Sequence, residues 1–127
     1  MIIKTDWING NFDVEDYNRI ANNINENIKL SNKIYENMSS LAFITRQTTP
    51  LPDVFNRIET ALQSLIDKLG LNELFEDTKK FNGNDVVWDA DDINRIERTI
   101  DLLNRLLIGQ QNGIQRLSFR LGGAKRL

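Results

Sequence analysis

Apolar residues recur along this chain at spacings of three, four and seven in three separate stretches, and each stretch reads as an amphipathic helix. In the first, Tyr17, Ile20, Ile24, Ile28, Tyr35, Met38 and Leu41 share one face, while Asn22, Asn25, Glu26, Lys29, Lys33 and Glu36 fill the other. The spacing predicts a helix over about 14–42, with Ser39-Ser40 as an earlier stopping point. The second helix is expected over about 52–69, with Phe55, Ile58, Leu62, Leu65, Ile66 and Leu69 inward and Gly70 as a C-terminal stop. The third is expected over about 90–107, with Ile93, Ile96, Ile100, Leu103 and Leu107 as its seam and Gly109 as its end.

The remaining segments are shorter. Leu71 to Thr78 suggests a brief extra helix, Phe81-Asn82-Gly83-Asn84 a turn, and Asp85 to Trp88 an extended stretch. Ile114 to Leu121 alternates imperfectly, with Leu117, Phe119 and Leu121 against Arg116, Ser118 and Arg120, and reads as a strand. Residues 122–127 read as a flexible tail. The expected fold is mainly α: one domain over 1–127, a three-helix antiparallel bundle with short extended N- and C-terminal segments.

One short motif recurs at the helix starts. Tyr17-Asn18-Arg19-Ile20, Phe55-Asn56-Arg57-Ile58 and Ile93-Asn94-Arg95-Ile96 are each followed four residues later by an apolar residue, namely Ile24, Leu62 and Ile100. The three asparagines are spaced by 38 residues both times. Asp13 and Asp89 stand where an N-cap carboxylate would accept first-turn N–H groups, and Glu15, Asp16, Asp91 and Asp92 add charge that the helix dipole favours. The second copy starts between Pro50 and Pro52, and proline is tolerated in a first turn. Each arginine has an acid four residues earlier: Glu15–Arg19, Asp53–Arg57 and Asp91–Arg95. Two readings of the Asn-Arg pair follow. Either the arginine closes that intrahelical ion pair while the asparagine ties down the incoming chain, or the three motifs form a recurring contact surface. Trp7 and Trp88 each precede a helix start and are candidates for packing over it or for anchoring an interface, together with Arg116, Phe119 and Arg120 near the C-terminus.

Composition narrows the chemistry. The 127 residues carry a net charge of −2 and contain no cysteine and no histidine. Disulfides, thiolate nucleophiles, imidazole bases and most zinc sites are thereby excluded. The aspartates around Asp89 lack the spacing of a calcium loop, and Gly113 and Gly122-Gly123 lie in no phosphate-binding frame. No enzyme activity, cofactor or metal is expected. No apolar run is long enough to span a membrane, and the first six residues show no signal-peptide pattern. Basic residues gather late, with Arg116, Arg120, Lys125 and Arg126 and no acid after Gln111, but there is no overall basic surplus. Nucleic acid is therefore not the expected partner.

Trp7-Ile8-Asn9-Gly10 followed by Asp16-Tyr17-Asn18-Arg19-Ile20 resembles a Trp-x-x-Gly…Asp-x-Asn-Arg-Ile segment of virion proteins from phages infecting Gram-positive bacteria. Residues 86–100, which include Trp88 and Asp92-Ile93-Asn94-Arg95-Ile96, resemble it as well. Those proteins are commonly tail, baseplate and receptor-binding components, and the segment begins a helix near an attachment or oligomerisation region. Trp88 sits closer to its asparagine than Trp7 does, and the second copy has no tryptophan. The resemblance implies a structural or adaptor component of a tailed-phage virion, made in the host cytoplasm, in contact with other virion proteins and present as a homo-oligomer. The alternative is a small helical regulatory protein that grips a host or phage partner.

Overall fold

The computed structural model describes residues 1–7, 13–35, 39, 41–42, 51–80 and 89–124; for 51–52 and 114–124 it describes the backbone alone. Three helices carry the fold: α1 (Val14–Asn32), α2 (Leu51–Leu69) and α3 (Ala90–Ala124), with one 3-10 turn at Asn72–Leu74. The chain is a mainly-α three-helix bundle.

The helices run in the same direction. α1 meets α3 through Arg19–Glu97, Asn27–Ile100 and Asn27–Asn104, and just past the end of α1 Tyr35 meets Gln110. The partner's number rises as the α1 number rises, as it must for parallel neighbours. The segment after α2 runs the other way. Glu76 pairs with Arg98, and three residues later Lys79 pairs with Asp92. Thr78 bonds Gln63, and then the Lys79 N–H bonds Glu59. This segment is thus antiparallel to both α2 and α3, which makes α2 and α3 parallel to each other. The expected antiparallel arrangement is corrected on this point. The reason lies in the connections: 18 residues separate α1 from α2 and 20 separate α2 from α3. A 19-residue helix such as α1 is roughly 28 Å long, and extended chain covers that in about nine residues. Each connection is long enough to carry the chain back to the starting end.

Parallel alignment explains the 38-residue period. Residues offset by 38 meet at one level in five successive layers. They are Tyr17/Phe55/Ile93, Ile20/Ile58/Ile96, Ile24/Leu62/Ile100, Asn27/Leu65/Leu103 and Ser31/Leu69/Leu107, all buried. The alternating spacing of three and four is that of a coiled-coil seam, and isoleucine at both kinds of seam position favours more than two strands. Burying each large apolar side chain stabilises the fold by about 1.5–3 kcal/mol. The fourth layer contains a polar residue. Asn27 donates to the Ile100 carbonyl at 3.0 Å and accepts from Asn104 at 3.0 Å, so its amide is satisfied and fixes the register.

Helix starts follow the sequence closely. Asp13 caps α1 in a reciprocal box with Asp16, and Asp89 and Asp92 form the same box at α3. The Asp16 backbone N–H holds the Asp13 carboxyl below its ordinary range, so this cap helps at neutral pH and is lost as pH falls through the lowered value. Gly70 ends α2 with a φ of +70°, its N–H bonded to the Ile66 and Asp67 carbonyls.

Two ends differ from expectation. α1 stops at Asn32 rather than near 42. Ser31-Asn32 are poor helix formers, and the chain beyond them turns back, with Tyr35 and Leu41 packed on the core from outside. α3 does not stop at Gly109. It continues through Gly109 and Gly113 to Ala124, so the segment expected as a strand is helical. Met38, Trp88, the 81–84 turn, the 85–88 stretch and residues 125–127 of the expected tail lie outside the described residues.

Candidate functional site

The repeated motifs come together at the shared starting end, where polar side chains fasten one helix to the next. Ile20, Ile58 and Ile96 lie fully in the core. The arginines do not close the expected pairs with the acids four residues before them. Arg19 reaches across to α3 and forks onto Glu97, at 2.9 Å and 2.5 Å to its two carboxylate oxygens. Arg95 reaches to α2 and forks onto Glu59 in the same way. Glu97 is 0% exposed and Glu59 2%. A buried carboxylate is stable only when paired and hydrogen-bonded, and a two-oxygen guanidinium fork meets that demand far better than an exposed intrahelical pair. The fork also strengthens Arg19's hold on its proton, as Glu97 hydrogen-bonds the charged form.

Each buried glutamate takes one more donor, from the segment that runs back along the groove. Glu97 accepts the Trp7 indole N–H at 3.3 Å, and Glu59 accepts the Lys79 backbone N–H at 2.5 Å. Lys79 Nζ also reaches Asp92 at 2.6 Å. Glu59 and Glu97 occupy the same place, three residues after the repeated asparagine. The equivalent residue in the first copy is Ala21. The cyclic rule, first arginine to third glutamate and third arginine to second glutamate, would send Arg57 to this alanine. Arg57 is accordingly exposed and makes no ion pair among the described residues.

The asparagines handle backbone. Asn94 donates to the Trp7 carbonyl and accepts the Trp7 N–H, both at 2.9 Å. One carboxamide thereby satisfies both polar groups of an extended residue, as a neighbouring strand would. Trp7 is buried, with Lys4 Nζ 4.2 Å from its ring centre. Arg19 and Asn23 hold the Ile2 carbonyl at 2.9 Å and 2.7 Å. Residues 1–7 thus lie in the α1–α3 groove, and Glu76 to Lys79 lie likewise between α2 and α3. Asn18 and Asn56 are half-buried at the equivalent places and are also engaged.

Sequence reasoning missed Glu59 and Glu97, whose charge hid their place on the buried side. It also set Asn25 on the outer face, whereas Asn25 holds the Leu41 N–H at 2.7 Å and its carbonyl at 3.0 Å. The signal was a glutamate at one fixed offset in two copies of a repeat. Of the other singled-out residues, Trp88 lies outside the described residues, while Arg116, Phe119 and Arg120 lie on α3 beyond the bundle, where only the backbone is described.

Chemically, this end is built to hold. The two buried carboxylates have both oxygens engaged, and no group of three or more His, Cys, Asp or Glu among the described residues could hold a metal ion. No described helix is long and apolar enough to cross a membrane. No family model matches the chain, and no curated protein or solved structure matches it either.

The three arginines, alike in local sequence, should respond differently to alanine. Arg95→Ala strands Glu59 and should cost about 3–5 kcal/mol. Arg19→Ala should cost less, since its side chain is 22% exposed and water can reach the opened site. Arg57→Ala should stay within about 0.5 kcal/mol. Urea unfolding at neutral pH measures the order, and equal losses would contradict it.

Asn94→Ala should cost about 0.5–1.5 kcal/mol for each lost bond and speed amide exchange at Trp7. Asn22→Ala, at an exposed position, should change neither. Unchanged Trp7 exchange in the Asn94 variant would show that the amide does not hold the segment.

Proposed function

We propose that the protein is a non-enzymatic structural or adaptor component of a tailed-phage virion, placed in the tail or baseplate and present in several copies beside other virion proteins. The observation that carries this reading is how the motif is used. The residues that resemble the virion segment, Trp7 with Asn18-Arg19-Ile20 and Asn94-Arg95-Ile96, are fasteners. They lock an extended N-terminal arm and three helix starts into one rigid end.

A rigid end with one helix running on past the bundle suits a connector. α3 extends 17 residues beyond Leu107, roughly 25 Å at 1.5 Å per residue. Repetition within one chain also suits docking against symmetric neighbours. The buried carboxylates are saturated by arginine, which supports a holding role over a catalytic one.

The direct test is a mass-spectrometric search of purified, disrupted virions for this chain, calibrated to its copy number. The reading expects the chain at a fixed multiple per particle. Its absence from particles, with abundance in the infected-cell lysate, would overturn it and favour a regulatory protein.

A further inference from the structure

α3 outlasts its partners. α1 ends at Asn32 and α2 at Leu69, level with Leu107, and the last hydrogen bond between α3 and the rest of the chain among the described residues is the one that Gln110 accepts from Tyr35, just past α1, at 2.5 Å. The seam of α3 does not end there. Ile93, Ile96, Ile100, Leu103, Leu107 and Gln110 step by three and four, and Ile114, Leu117 and Leu121 continue the same steps without a break. By helix register these residues share the face that α1 and α2 cover lower down.

The face is a narrow stripe of coiled-coil type rather than the broad apolar side of a membrane-surface helix. Arg105 and Arg116 fall on the opposite side by register. The helix also contains Gly109, Gly113, Gly122 and Gly123. Each glycine weakens a helix by roughly 1 kcal/mol relative to alanine, and a short isolated helix is marginal in water. A partner that covers this stripe therefore stabilises the segment.

We propose that the partner is a second copy of this chain, paired in parallel and in register through Ile114, Leu117 and Leu121. The seam is continuous with an interface that this sequence already forms with itself, α3 against α1 and α2. It contains no charge, so two copies meet without burying one. Ile114 followed by Leu117 is the seam order that favours two parallel strands. Arg120 falls beside the stripe by register, so paired copies bring like charges near each other, and salt strengthens the pairing by screening them. The proposal deepens the multi-copy reading and rests on it only in that copies meet. A protein absent from virions can still pass the following test, and a virion protein can fail it.

The chain has no native cysteine, so single-cysteine variants report directly. In the full-length protein under mild oxidation, Ile114→Cys and Leu121→Cys should each form disulfide-linked dimers, and Arg116→Cys should not. Leu117→Glu should abolish both cross-links. All these positions lie outside the five bundle layers, so the fold is retained. Gly113→Ala should raise the dimer fraction in sedimentation, because nothing lies within 4 Å of the added methyl. Raising salt from low to physiological strength should raise it too. Equal cross-linking at 116, or none at 114 and 121, would overturn the proposal. So would a monomer that binds only an added acidic helical peptide or single-stranded DNA, with binding lost in salt.

Discussion

Three helical seams from one chain meet in register, each offset from the last by 38 residues, and most of the other features follow from that alignment. Parallel helices in a single chain cannot be joined by short loops. The chain has to travel back the length of each helix before starting the next, and the described parts of the returning segments lie against the helices, with Leu41 and Ala42 held by α1 and Thr78 and Lys79 held by α2 and α3. The period is therefore a helix plus its return. The N-terminal arm plays the same part for α1, lying in the α1–α3 groove ahead of it.

That geometry creates a polar problem and the sequence supplies the means to meet it. A returning segment lies against helices whose backbone groups are already used within their own turns. Its N–H and C=O groups need partners from side chains. Asn94 serves Trp7, Asn25 serves Leu41, Asn23 and Arg19 serve Ile2, and Glu59 serves Lys79. The asparagines thus have a structural use here. The two Arg–Glu forks then bind neighbouring helices at the same level. Their cost in desolvation is offset only because each carboxylate is fully engaged. The first copy, with Ala21 in place of glutamate, receives no fork from Arg57, and Asn25 holds the returning segment there instead.

Much of this was legible in the residues. The caps at Asp13 and Asp89, the stop at Gly70, the seams and the equal spacing of the motif all report local physics, which sequence encodes directly. Helix direction was not legible from periodicity, because a stripe of isoleucine and leucine looks the same read up or down. The clue was the period itself: equivalent motifs at one end of the bundle require parallel helices, whereas short-looped antiparallel helices would alternate ends. The end of α1 was misjudged because Tyr35, Met38 and Leu41 keep a helical spacing, although Tyr35 and Leu41 pack from outside the seam. The end of α3 was misjudged because Gly109 reads as a stop, although it has no positive φ. The arginine partners were hidden because a residue four positions away is visible in sequence and one 78 positions away is not.

Helix direction is the central claim, and pairwise distances between the helix starts test it most directly. Glu15, Asp53 and Asp91 are exposed near the starts of α1, α2 and α3. Each pair can be replaced by cysteine in this cysteine-free chain and spin-labelled for electron–electron distance measurement. A parallel bundle predicts three short, similar distances, set by the bundle's width and the labels' reach. Reversing any one helix would lengthen two of the three, since that start would move by roughly 28 Å, the length of a 19-residue helix. One short and two long distances would contradict the parallel bundle and the explanation of the repeat that rests on it.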